Sequence, residues 1–260
     1  MKKKYLVSAL LSLPAMAWGM ATIRNVDGIT GFYEGGFFQI AVSVACLLAE
    51  AVLVVIFYRS SKSAAVSVTE ISSGSTRIVS LLSAAALLAF LVSGDQGKTF
   101  PSRFAEIINI LFYVFLVLAA VSLAVFGMIG RKTGEKTFFI VLTVLIVYVI
   151  FRLMEGFFSG MVNRNNVVLM AELFSCVASA LALTGLQKRL YEGNETGNGE
   201  AAAKALASLY LNVSFRFPCV ILYINSKNMQ NVLLCLADTL ISAFVFLLAG
   251  SCLDGAEKDE

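Results

Sequence analysis

The sequence predicts an all-α protein, a polytopic transmembrane helical bundle of about eight helices. Of its 260 residues, 58% are hydrophobic and only 14% are charged, which makes it far more apolar than a soluble domain of this length. The apolar residues occur in runs of about 20, the length that an α-helix needs to cross a bilayer. No hydrophilic stretch is long enough to bury a core of its own. Residues 1–260 are therefore predicted to form a single transmembrane domain in contact with the lipid bilayer.

The first predicted helix spans residues 5–23 and follows three lysines. This start also matches a signal peptide, because the stretch 15–17 (Ala-Met-Ala) fits the small-residue pattern of a cleavage site. The apolar run continues past this site, which favours a helix that is retained in the mature protein. We expect Pro14 to kink this helix, because proline removes one backbone hydrogen bond.

Seven further apolar runs predict the remaining helices. Polar segments rich in serine, glycine and asparagine separate these runs and read as loops or turns. The third helix is short and rich in alanine, so we expect it to pack closely against its neighbours. In order, the seven predicted helices span 37–58, 78–92, 104–129, 137–158, 166–186, 201–224 and 231–251.

The distribution of basic residues predicts the orientation. Eight crossings place both termini on one side of the membrane, and most of the 20 Lys and Arg residues lie on that side. Basic residues concentrate in cytoplasmic segments of membrane proteins, so both termini are predicted to be cytoplasmic. The few basic residues in the loops on the opposite side are Arg24, Lys98, Arg103, Arg164 and Lys227.

Two helical hairpins, 137–186 and 201–251, follow one plan. An arginine lies in the first helix of each, Arg152 or Arg216, and an acid preceded by alanine lies in the second, Glu172 or Asp238. The corresponding residues recur after nearly the same interval, which indicates tandem hairpin repeats. The alternative is that apolar helices rich in leucine and alanine match by chance.

The charged residues inside these helices form the main candidate site. A charge at the centre of a transmembrane helix costs about 2.5–3.5 kcal/mol on insertion scales, so such residues are expected to be paired. Counted from the connecting turns, Arg152 is level with Glu172 and Arg216 is level with Asp238, all in the outer half of the membrane. Glu155 lies one helical turn from Arg152 and is placed to share it.

Two interpretations of these charges stay open. In the first, the protein binds or transports a small polar or ionic ligand through a cavity in the outer half. In the second, the protein is a structural or accessory subunit that packs against a membrane partner, and its ion pairs only fix helix packing. Glu50 is a separate candidate for handling a proton, because no arginine is expected at its level. The candidate ligand-binding residues are Arg152, Glu155, Glu172, Asn212, Arg216 and Asp238.

The sequence lacks the usual signs of an enzyme. It has no histidine, which removes the commonest general base and the commonest metal ligand. It also has no phosphate-binding loop and no dinucleotide-binding motif. We therefore expect no catalytic residues, no metal, no cofactor and no nucleic-acid partner. The five cysteines lie in or at the ends of apolar runs and are expected to be buried and inert.

Three short segments resemble a family of uncharacterised eight-helix integral membrane proteins of anaerobic Gram-positive bacteria. They are the stretch 30–34 (Thr-Gly-Phe-Tyr-Glu), the stretch 215–218 (Phe-Arg-Phe-Pro) and the acid Asp238 in the last helix. The resemblance covers the chain from end to end and implies the topology and the class, with no activity. It implies that the membrane is a bacterial cytoplasmic membrane.

Overall fold

The computed structural model describes residues 2–26, 33–61, 74–93, 102–129, 135–159, 167–192 and 198–252. These residues form helices and turns without a strand, which confirms the predicted all-α bundle. The helices are α1 (Lys2–Leu10), α2 (Ser12–Thr22), α3 (Phe37–Ser61), α4 (Gly74–Val92), α5 (Arg103–Ile129), α6 (Glu135–Ser159), α7 (Val167–Glu192), α8 (Asn198–Leu211), α9 (Cys219–Asn225) and α10 (Met229–Cys252).

Eight segments of the described chain are long and apolar enough to cross a membrane. Helices α3 to α7 and α10 each provide one span, while α1 with α2 and α8 with α9 provide one span each. The predicted number of spans is confirmed, and the protein is an integral membrane protein. Several helices extend beyond the predicted limits, because hydropathy marks only the apolar part of a helix. The clearest case is α7, which continues to Glu192.

The first span is interrupted at Leu11, where the chain makes a single turn between α1 and α2. Pro14 has no N–H to donate to the carbonyl of Leu10, and its ring crowds that carbonyl. The break therefore lies where the proline predicts it. Before the break, Tyr5 is buried, and its ring stacks on Phe246 of α10 with the centroids 4.0 Å apart. The first span is thus packed into the bundle, and its retention in the mature protein stays a prediction.

Six spans surround the interior of the bundle. These spans form a ring in which each helix contacts the next. The order around the ring is α4, α5, α6, α7, α8 and α10, and α10 contacts α4 again. Helix α10 also contacts α7, so it lies toward the centre, and 67% of its most apolar 18-residue stretch is buried. Helix α3 lies at the periphery against α8 and α2, with only 11% of the corresponding stretch buried.

Helices α4 and α5 approach closely through small residues, as the alanine-rich third predicted helix led us to expect. Ser80 is fully buried and donates a hydrogen bond of 2.6 Å to the carbonyl of Leu123 in α5. A Cβ atom at Gly127 would lie only 2.6 Å from Cγ of Leu81. The glycine is therefore required by the packing of the two helices.

Candidate functional site

The span formed by α8 and α9 is interrupted by a π-helical turn, Asn212–Arg216. Pro218 cannot donate to the carbonyl of Ser214, so the regular helical ladder fails at this point. Instead, the N–H of Phe217 donates to the carbonyl of Asn212 at 2.7 Å, five residues back. The sequence predicts one continuous helix over 201–224, and the π turn was not expected. Turns of this kind are frequent at functional sites.

The π turn is enclosed by neighbouring helices. A Cβ atom at Gly19 of α2 would overlap the carbonyl oxygen of Ser214 and lie 2.8 Å from Cγ of Pro218, so two backbones meet there. Helices α7 and α10 contact the turn from the interior, and Glu50 of α3 reaches it from the periphery. As a result, Asn212, Ser214 and Arg216 are all buried.

Five charged side chains of α6, α7, α10 and the π turn form one continuous ion-pair chain. Arg152 Nη1 lies 2.8 Å from Glu155 Oε2, and Arg152 Nη2 pairs with Glu172 Oε1. Glu172 Oε2 lies 3.1 Å from Arg216 Nη1, and Arg216 Nε lies 3.1 Å from Asp238 Oδ2. Both predicted pairs are confirmed, and so is the sharing of Arg152 by Glu155. The link from Glu172 to Arg216, which joins the two hairpins, was not predicted.

The ion-pair chain is almost inaccessible to solvent. The side chains of Arg216 and Arg152 are only 1% and 3% exposed, and all three acids are buried. Taking charges out of water is expensive, and close pairing offsets only part of that expense. With two arginines and three acids, the fully ionised chain carries one excess negative charge.

A small cavity lies beside the ion-pair chain. The centre of a water molecule has about 10 Å³ in which to move there, which is room for about one water. Of the predicted ligand-binding residues, Arg152, Asn212 and Asp238 line the cavity, whereas Glu155, Glu172 and Arg216 do not. The other lining residues, all buried, are Tyr148, Val149, Ser175, Cys176, Ser179 and Ile241.

Four residues of the cavity lining each carry a buried polar atom that has no hydrogen-bond partner among the described residues. These atoms are the Tyr148 hydroxyl, Arg152 Nε, the Ser175 hydroxyl and Asn212 Oδ1. Unpaired polar atoms are rare in protein interiors, so four around one cavity call for an explanation. Tyr148 and Ser175 are not among the residues that the sequence predicts for this site. Their spacing in the sequence could have indicated them, because Tyr148 is one helical turn from Arg152 and Ser175 is one helical turn from Glu172.

A short polar column (Asn212, Ser179 and Ser208) continues from the cavity, away from Asp238. The Asn212 side-chain amide donates to the Ser208 carbonyl at 2.9 Å and to the Ser179 hydroxyl at 3.3 Å. The hydroxyls of Ser179 and Ser208 lie 3.0 Å apart and share a hydrogen bond. All three side chains are buried. The column extends the polar region from the ion-pair chain further along α7 and α8.

Glu50 is buried in the contact between α3 and the π turn. The Ser214 hydroxyl donates a hydrogen bond to Glu50 Oε1, and Glu50 Oε2 has no partner within the described part of the chain. None of the described basic residues pairs with Glu50. Its partner Ser214 is only two residues from Arg216, a rise of about 3 Å, so Glu50 lies closer to the level of an arginine than the sequence predicted. Its proposed role in handling a proton stays a prediction.

A wider cleft opens at the end of the bundle where α9 turns into α10, which the charge pattern predicts to face outward. We call this the outer end. The cleft has a volume of about 330 Å³ and lies between the segment that follows α2 and the end of α9, with Arg24 and Asn225 in its wall. A buried apolar cluster lies beneath the cleft, and two of its members are close to Glu172 and Asp238 along the sequence. The members of this outer apolar cluster are Ile23, Val26, Val168, Ala171, Cys219 and Cys235.

Four of the five cysteines lie among the described side chains. Cys176, Cys219 and Cys235 are buried, free thiols, as predicted, and Cys46 is a half-buried free thiol. Among the described residues, no group of three or more Cys, Asp or Glu side chains is placed to hold a metal ion.

Comparison of the chain with protein-family models, with curated proteins and with solved structures finds no match. The class of protein is therefore defined by the fold and the site alone. The chain is an all-α, multi-pass integral membrane protein with a charged and hydrogen-bonded core inside its membrane-spanning helices.

Proposed function

We propose that this protein binds a small polar or ionic ligand in its polar core and carries it across the membrane. The observation that carries the proposal is a chain of five buried charges, two of which line an internal cavity together with residues that carry unpaired polar atoms. Intramembrane ionisable groups are expensive and usually mark the path of a substrate, an ion or a proton.

The ion-pair chain is larger than packing alone requires. Apolar residues of similar volume stabilise a buried contact as well as an ion pair does, and often better. A bundle held together only by packing therefore gains little from two arginines and three acids in its interior. Such groups are useful in a ligand site. Charged side chains can rearrange around an incoming charged ligand and take the place of the solvent that it loses.

The interrupted span supports the same proposal. Transporters place their ligand sites at broken helices, where backbone groups released from the helical ladder face the substrate. Here the π turn and Pro218 lie between Asn212, which lines the cavity, and the start of α9. Arg216 ends the π turn, so a change in the turn would move a member of the ion-pair chain directly.

The outer cleft marks a candidate route toward the core, which is closed in this conformation. The outer cleft reaches Ile23 and Val26, which also belong to the outer apolar cluster. The cluster includes Ala171 and Cys235, which are one and three residues from the acids Glu172 and Asp238. About one helical turn of apolar side chains thus separates the cleft from the ion-pair chain. In the proposed cycle, these side chains separate to admit the ligand.

The alternative is a structural or accessory membrane subunit. It is favoured by the observation that each arginine is paired with two acids, so that the charges largely satisfy one another. The two functions differ in whether bulk solvent and its solutes reach the cavity in the folded protein. Carrying a ligand requires such access, whereas a packing role requires a core that stays closed to bulk solvent.

Native Cys176 lines the cavity and is not a member of the ion-pair chain. Its reactivity therefore reports access to the cavity without any change to the charged residues. The variant keeps Cys176 and has the other four cysteines replaced by alanine. A thiol reacts as its thiolate, which forms only in contact with water. We expect a water-soluble, membrane-impermeant methanethiosulfonate to modify Cys176 slowly in cells, as measured by mass spectrometry.

The matched control keeps only Cys46, which lies on α3 at the periphery of the bundle, where we expect lipid to cover the helix. We expect Cys176 to react several-fold faster than Cys46. Equal rates, with both thiols reactive only after denaturation, would leave only the packing role.

We further propose that the protein lies in a bacterial cytoplasmic membrane with both termini in the cytoplasm, and that it is not an enzyme. The orientation is supported by the excess of basic residues on the side of the termini. A reporter pair fused after Glu260, one member active only in the cytoplasm and the other only outside, tests it. Activity of the cytoplasmic reporter is expected, and activity of the other would reverse the topology.

A further inference from the structure

We infer that the internal cavity is a binding site for one water molecule, which joins the ion-pair chain to the polar column. This assignment goes beyond the proposed function and stands whether the protein is a carrier or a structural subunit. It rests on the chemistry of the four unpaired atoms and on the size of the cavity.

The four atoms require a ligand that both accepts and donates hydrogen bonds. Arg152 Nε carries a hydrogen and is only a donor, so the ligand must accept from it. Asn212 Oδ1 is only an acceptor, because the Asn212 amide nitrogen donates to Ser208 and Ser179. The hydroxyls of Tyr148 and Ser175 both donate and accept, so they adapt to the ligand.

This combination selects against ions. A metal cation or an ammonium ion has no lone pair to accept the Arg152 hydrogen. A halide has no hydrogen to donate to Asn212 Oδ1, and Asp238 in the cavity wall repels it. A water molecule meets both demands, and buried waters typically make about three hydrogen bonds to polar groups of this kind. The room for about one water fits this ligand and excludes larger solutes in this conformation.

The water has a structural consequence. Asp238 and Arg152 of the ion-pair chain line the cavity, and so does Asn212, which begins the polar column that leads to Ser208. A water bonded to Arg152 and Asn212 makes the ion-pair chain and the column one hydrogen-bonded network. The network then spans α6, α7, α8 and α10, and the water adds a link between the two hairpins to those made by Glu172 and Ser179.

A double-mutant cycle tests whether Tyr148 and Ser175 share one ligand. The variants are Tyr148→Phe, Ser175→Ala and the combination, and the readout is the Tm of the full-length protein in nanodiscs. If one water binds both hydroxyls, we expect each single variant to lower the Tm by about 2–4 °C. We also expect the double variant to lose clearly less than the two losses added together, because the second change removes a bond to a water already weakly held.

The matched control pairs Tyr148→Phe with Ser83→Ala. Ser83 is buried in α4 and bonds only its own helix, at the carbonyl of Val79 among the described residues. Additive losses are expected for this pair. Additive losses for Tyr148 and Ser175 as well would overturn the shared water.

A cryo-EM map at a resolution that shows ordered waters gives the direct observation. A single peak within hydrogen-bond distance of Arg152 Nε and Asn212 Oδ1 is the expected result. A featureless cavity in such a map, or density larger than one water, would overturn the assignment. Neither result bears on the reactivity of Cys176, so failure of the water site and failure of the proposed carrier function are distinguishable.

Discussion

The two C-terminal hairpins, α6–α7 and α8–α10, both bury charged side chains, but their backbones differ around the arginine. Each carries an arginine in its first span and an acid in its second, at matching depth. In the first hairpin the helix around Arg152 is regular, whereas in the second Arg216 ends a π turn followed by Pro218. Glu172 of the first hairpin pairs with the arginines of both, while Asp238 of the second pairs only with Arg216 among the described residues.

The difference shows that the hairpins are not independent units. A regular helix holds Arg152 near Glu155, one turn along its own chain. The π turn changes the direction in which Arg216 leaves its helix, and Arg216 reaches an acid on each of two other helices. We infer that the interruption allows the second hairpin to engage the first.

The largest expected effect follows from the sharing of Glu172. Glu172→Gln removes an anion from both arginines at once, and breaking a buried pair typically costs about 3–5 kcal/mol. We expect a loss of unfolding free energy near the upper end of this range, measured by denaturant titration in mixed micelles. Glu155→Gln is the matched control, since Arg152 keeps Glu172, and its loss should be clearly smaller. Equal losses would show that Glu172 serves only one arginine.

The second prediction concerns the pair that belongs to the second hairpin alone. Asp238→Leu leaves Arg216 with Glu172 only, and we expect a loss of about 3 kcal/mol in the same titration. Adding Arg216→Met should restore much of that loss, because no buried arginine is then left short of an anion. A double variant as unstable as the sum of the two single variants would contradict a direct interaction of Arg216 with Asp238.

The third prediction concerns the proline that follows the arginine, which is added to the first hairpin and removed from the second. Met154 lies two residues after Arg152, as Pro218 lies two residues after Arg216. Met154→Pro introduces a break into a regular helix and should cost about 3 kcal/mol. Pro218→Ala should cost less, because the alanine N–H gains a backbone partner while the π turn relaxes. A larger loss of unfolding free energy for Pro218→Ala than for Met154→Pro would contradict this expectation. It would show that the π turn depends on the proline more than on the contacts around the turn.

The smallest expected effect concerns the contact of α3 with the π turn. Ser214→Ala removes the only hydrogen bond that Glu50 makes among the described residues. Leaving a buried acceptor without its partner costs about 1–3 kcal/mol. Ser122→Ala, which removes a bond within α5, is the control and should lower the Tm less. A larger effect of the control would mean that the peripheral α3 contributes little to the stability of the π turn.

Much of the architecture follows from the sequence alone. Run length determines the eight spans, because only a helix of about 20 residues satisfies its backbone across a bilayer. Counting from the turns also predicts which charges are level, because the rise per residue of a helix is constant. Arg152 with Glu172 and Arg216 with Asp238 were predicted on this basis and are present. The tandem repeat of the hairpins stays a prediction.

The tertiary structure decided which neighbours each helix has. Depth along a helix is local information, but the direction of a side chain around the axis depends on how distant helices pack. The bond from Glu172 to Arg216, the place of α3 outside the ring and the convergence of Tyr148 and Ser175 on one cavity all depend on such directions. Pro218 marks a broken ladder in the sequence, but the sequence does not show that the turn is a π turn or that it packs against Gly19. That contact exists only once the bundle has assembled.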